Sequence, residues 1–96
     1  MRPSQALALR RAEVLALTAK SKAVNMRVFG SARNGADTDG SDLDLIVDPL
    51  PGATLFDLGG LQVALEELLG VRVDLLTPGD LPRAFRERVL RDAVPV

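Results

Sequence analysis

Apolar residues along this chain follow a helical spacing at the start, a spacing of two in three short runs, and a helical spacing again in two later segments. From Ser4, a favoured cap, to about Ser21, Leu7, Val14 and Leu17 share a face with Ala8 and Leu15 beside them, which predicts one amphipathic helix. "NMRVFG" reads as a strand ending at Gly30. The loop after it is marked by Gly35, Asp37, Thr38, Asp39 and Gly40. "DLDLIVD" is a second strand, stopped by "DPLPG". Thr54 and Asp57 make a capping box for a helix striped by Leu58, Leu61, Leu65 and Leu68, and Gly70 ends it. In "VRVDLLT", Val71, Val73 and Leu75 alternate with Arg72 and Asp74. A last helix, with Pro82 in its first turn, turns Leu81, Phe85 and Val89 inward.

Residues 31 to 41 are too few for a full parallel crossover, so the first two strands should be antiparallel neighbours. The expected fold is α/β of the α+β kind: a three-stranded mixed sheet in the order 1-2-3, with helices covering one face. The other face carries Asp42, Asp44 and Asp74 and is expected to stay open to ligands. No linker or repeat divides the chain, so residues 1–96 are expected to form one domain.

Composition narrows the chemistry. With 47% hydrophobic and only 3% aromatic residues, the core must be built from Leu, Val, Ala and a few Phe. Twelve basic and 13 acidic side chains leave a formal charge of −1, which advertises neither nucleic acid nor membrane. Histidine is absent, which excludes imidazole-based triads, and the lack of cysteine excludes thiolate metal sites and suits the cytoplasm. The Arg-rich start contains Glu13 and is broken by Arg10 and Arg11, unlike a signal peptide, and nothing reaches transmembrane length.

The stretch "DTDGSDLDLIVD" packs five aspartates into twelve residues. An EF-hand loop is excluded: with Gly40 at its sixth position, the first and twelfth ligands would be Gly35 and Ile46. Asp37 and Asp39, among Thr and Gly, fit turn makers, and Asp48 before Pro49 fits a strand stop. Asp42 and Asp44 lie two apart at the start of a strand and point to one face. Two such charges repel by about 1 kcal/mol at 4 Å in water, so a cation or a bound proton must compensate them. Asp74 lies mid-strand, where a carboxylate needs a partner such as Arg72 or Arg27, or a metal. Upstream, Gly30-Ser31 closes a strand and can receive a phosphate through backbone N–H groups and a hydroxyl. A phosphate cradle beside sheet-borne carboxylates is what metal-assisted nucleotidyl transfer requires.

On these residues the chain resembles the minimal nucleotidyltransferases (MNT) of the DNA polymerase β-like superfamily. Gly30-Ser31, Gly35 and Ser41-Asp42-Leu43-Asp44-Leu45 match the signature in register. "VRVDLLTP" is similar to the strand bearing its third carboxylate, and "LPRAFRERVLRDAVPV" resembles MNT endings. One departure is the order Gly-Ser-Ala-Arg-Asn-Gly, which puts Arg33 one place earlier than relatives commonly have it. The resemblance implies that Asp42, Asp44 and Asp74 are catalytic and hold two Mg²⁺ ions, and that Gly30, Ser31, Arg33 and Ser41 contact the nucleotide. It further implies ATP as donor and a helical HEPN RNase toxin as partner, which the MNT protein neutralises as its antitoxin by adenylylating a tyrosine. The chain itself has no Tyr to modify. Two other activities stay open: neutralisation by binding alone, and transfer to a tRNA end or a small hydroxylated molecule. The arginines at 83, 86, 88 and 91 are either a partner surface or a solvated helix face paired with Glu87 and Asp92.

Overall fold

The computed structural model describes residues 1–96. Helices α1 (Pro3–Leu9) and α2 (Arg11–Lys20) lead into strand β1 (Ala23–Phe29) and a 3-10 turn, Gly30–Asn34. Strand β2 (Leu43–Pro49), helix α3 (Leu55–Leu69), strand β3 (Val73–Leu76), a second 3-10 turn (Pro78–Asp80), helix α4 (Arg83–Asp92) and strand β4 (Val94–Pro95) complete the chain. The sheet has four strands in the order β3-β2-β1-β4, so the expected 1-2-3 arrangement is present but a fourth strand is added. Strands β1 and β2 are antiparallel, β2 and β3 parallel, and β4 pairs antiparallel with β1 through Arg27–Pro95 and Val28–Val94. A two-residue strand containing proline is too short to show a period of two, which is why the pattern misses it.

The core lies where β2 meets α3. Leu43, Leu45 and Val47, alternating along β2, are fully buried, as are Leu61 and Leu65 of α3 and Val14 of α2. Each such side chain contributes about 1.5–3 kcal/mol of burial. Helix α3 begins as its sequence requires: the Thr54 hydroxyl accepts from the Asp57 N–H (3.2 Å) and the Asp57 carboxylate accepts from the Thr54 N–H (2.8 Å). Gly70 ends the helix in the left-handed region (φ 69°), a conformation that favours glycine. The adjacent Glu66 carboxylate then accepts from the Val73 N–H at 3.0 Å, which ties the start of β3 to α3.

Three expectations about the helices need correction. The first helix is two helices, because Arg10 (φ −114°, ψ 20°) leaves helical geometry between them. Each half has its own anchor: α1 packs on α3 and the Gly30–Asn34 turn, whereas α2 lies on β1 and α3. Ser4 is not the cap; Arg2 holds that position, and the Ser4 N–H and hydroxyl both donate to Asp37 (2.8 Å each). Helix α4 buries none of its residues, and Phe85 is 46% exposed, so only Leu81, before the helix, is fully inward.

The sheet's second face is also less open than expected. Ile46 shares the face of Asp44 by the two-residue period of β2, yet it is completely buried. The Pro78–Asp80 turn packs on β2, and the following Leu81 is buried as well. What remains open on this face is the end that carries the aspartates. On the same face, Asp48 lies inside β2 and forms an ion pair with Arg27 (2.7 Å), rather than merely stopping the strand. An irregularity in β1 at Asn25 (φ 59°) precedes this pair, and Asn25 also donates to Asp48 at 2.9 Å.

Candidate active site

The 3-10 turn and the starts of β2 and β3 meet at one end of the sheet. Register places Asp44 opposite Phe29 on one side and opposite Asp74 on the other, so Gly30 and two carboxylates come together. Gly30 has φ 71°, and a methyl group there would collide with the Asp44 carboxylate. Only glycine satisfies both demands, the left-handed turn and the close approach of Asp44.

Burial, then Asp74, then Asp42 raise the pKa of Asp44 above the ordinary carboxylate value of 3.8. No cation offsets these terms. Arg27 is committed to Asp48, and Arg72 faces Asp42 at 3.8 Å across exposed surface, so neither arginine reaches Asp44 or Asp74. The three carboxylates share a local field without being drawn into a ready-made ligand cage. Like charges held on neighbouring strands repel, so each carboxylate keeps its distance from the next. Hard carboxylate oxygens without a protein cation suit a divalent ion such as Mg²⁺, so the residues present fit that group.

The remaining expected contacts fall at different distances from this centre. Ser31 is exposed beside Gly30, and its carbonyl accepts from Ala36 at 3.0 Å to close the turn. Arg33 is exposed on the same turn and lines a cavity with Gly30. Ser41 spends its hydroxyl on the loop, accepting from the Thr38 N–H at 2.9 Å. Asp42 precedes β2 and is the more exposed of the β2 pair.

Two residues outside the expected site, Asp37, read as a turn maker, and Glu66, hold it together. Asp37 is buried, 4% exposed, and receives both Ser4 donors, which pins the loop before Asp42 to the start of α1. Burial opposes its charge, but the bonds from Ser4 and the nearby Arg2 outweigh that and lower its pKa. Glu66 fixes the strand that presents Asp74. No local signal marks either residue, because both partners come from other elements.

Comparisons with known proteins identify the family and the fold. The family model described as nucleotidyltransferase domain matches residues 14–96. Protein adenylyltransferase MntA of Thermococcus cleftensis is 39% identical over 69 residues, covering 72% of this chain and 70% of that protein. A Methanocaldococcus jannaschii protein, provisionally named a protein adenylyltransferase, is 38% identical over 69 residues, covering 72% of this chain and 74% of its own. A solved structure described provisionally as a minimal nucleotidyltransferase has a TM-score of 0.88 and 47% identity, covering 97% of this chain and 95% of that one. The crystal structure of a toxin-antitoxin with AMP-PNP shares the fold at a TM-score of 0.73 and 20% identity, covering 88% of this chain and 69% of that one.

The fold and the matched family are thus those of an enzyme of nucleotidyl transfer. The chain belongs to the nucleotidyltransferase domain family.

Proposed function

We propose that this enzyme is the antitoxin of a toxin-antitoxin pair and transfers AMP from ATP to a hydroxyl, that of a tyrosine, on a helical HEPN RNase toxin. The observation that carries the catalytic part is the uncompensated Asp44–Asp74 pair beside Gly30. The adenylyltransferase name of the Thermococcus relative supports a protein acceptor, and the toxin-antitoxin neighbour supports a toxin as that protein.

In this mechanism Gly30 and Ser31 receive the triphosphate, and the acceptor hydroxyl approaches over Asp74. Its oxygen attacks the α-phosphorus, the bond from that phosphorus to the bridging oxygen breaks, and pyrophosphate leaves with the electron pair. The hydroxyl proton passes to the Asp74 carboxylate and then to water. Asp42, Asp44 and Asp74 would hold Mg²⁺, which neutralises triphosphate charge and acidifies the hydroxyl when bound.

The test is pyrophosphate release from ATP and Mg²⁺ with and without the cognate toxin. Release that needs the toxin and falls at least about a hundredfold in D42N and D44N supports the proposal. Release that both variants retain would contradict it. Toxin neutralisation in cells by the D42N/D44N double variant would favour action by binding alone.

A further inference from the structure

A cavity of about 280 Å³ opens between the Gly30–Asn34 turn and α4, lined by Phe29, Gly30, Arg33, Arg88, Val89 and Asp92. Its position relative to the aspartates is fixed by Gly30. Asp44 occupies the space where a Gly30 side chain would stand, and Gly30 also lines the cavity, so the cavity opens immediately beside the carboxylates.

The cleft carries three charged side chains, Arg33, Arg88 and Asp92. Arg33 and Arg88 both line it, and neither is within ion-pair distance of any acid, since the ion pairs of this chain involve Met1, Arg10, Arg27, Arg72 and Arg91. Even Asp92, one turn beyond Arg88, is nearer Arg91, at 3.9 Å. Asp92 sets one negative charge against two guanidinium groups, so the cleft keeps a net positive charge that attracts an anion. Their planar forks match phosphate oxygens in paired hydrogen bonds. The cleft is also smaller than the usual pocket for a whole drug-sized ligand, about 300 Å³ upward, and so fits part of a nucleotide.

We propose that Arg88 is a positioning residue for the donor: with Arg33 it clamps the β- and γ-phosphates, the end that leaves as pyrophosphate. This rests on ATP being the donor. With the α-phosphate at Asp44 and Asp74, the polyphosphate tail runs over Gly30 into the cleft. Helix α4 thereby gives the enzyme its preference for a triphosphate over a monophosphate.

The experiment is calorimetric binding of an α,β-non-cleavable ATP analogue and of AMP to the full chain in Mg²⁺. R88A is expected to weaken the analogue about ten- to a hundredfold and to leave AMP within about twofold. R88K should recover part of the loss, because a point charge replaces a fork. R83A, on the same helix but outside the cleft, should match wild type for both. Equal binding of the analogue by R88A and wild type overturns the clamp and leaves ATP as donor. Equal weakening of AMP and analogue also overturns it, since Arg88 would then act on the nucleoside or the fold. If wild type binds no analogue, the donor assignment fails as well.

Discussion

Ionising Asp44 places a charge in a half-buried position beside Asp74 and Asp42, with no arginine facing it. Its pKa in the fold lies above 3.8, so the folded chain keeps this proton to higher pH than the unfolded chain does. The stabilisation is complete below the unfolded value and is lost as pH rises through the folded value. D44N should therefore raise the melting temperature at neutral pH without divalent ions. A repulsion of about 1 kcal/mol corresponds to about 4–8 °C in a chain of this size, and the gain should vanish near pH 3. Calorimetry across pH checks this, and Mg²⁺ should raise the melting temperature of wild type more than that of D44N. Asp37 has the opposite sign. Its pKa is lowered, so its contribution is present above the unfolded value and is lost as pH falls through the folded one. D37A should destabilise the chain by about 1–3 kcal/mol in denaturant titration, because the half-buried Ser4 donors lose their acceptor.

At the scale of elements, what the sequence reveals depends on how local the cause is. Helix α3 is legible at both ends, since Thr54, Asp57 and Gly70 act on backbone groups within a few residues. T54A should cost about 1 kcal/mol and lower the melting temperature by about 4–8 °C. The alternation of Leu43, Leu45 and Val47 against Asp42 and Asp44 likewise identifies β2, its buried face and its acidic face. The break at Arg10, the short β4 and the exposure of α4 are not legible, because each is decided by what packs against the element. The same holds for pairs of distant residues. Asp37 looks like a turn maker until Ser4, 33 positions away, is seen donating to it. Asp48 looks like a strand stop until Arg27, 21 positions away, is seen paired with it. Of the expected site, Gly30, Asp44 and Asp74 follow from strand period and register. The place of Arg88 does not, because it depends on how α4 returns to the first 3-10 turn.

At the scale of the whole molecule, a four-stranded sheet brings an acidic end, a glycine turn and a cationic cleft side by side. Away from that end, Leu55 and Phe56 at the start of α3 are 87% and 92% exposed, the most exposed of the large apolar side chains. The proposed chemistry depends on the relative placement of β1, β2, β3 and α4 rather than on any one segment. We propose that this arrangement moves AMP onto a partner protein. Intact-mass spectrometry of the cognate toxin, co-expressed with this enzyme, reads that transfer. The predicted result is a gain of about 329 Da, one AMP residue, or multiples of it, that disappears with the D42N/D44N variant. An unmodified toxin beside the wild-type enzyme, or a modification that persists with the double variant, would contradict it.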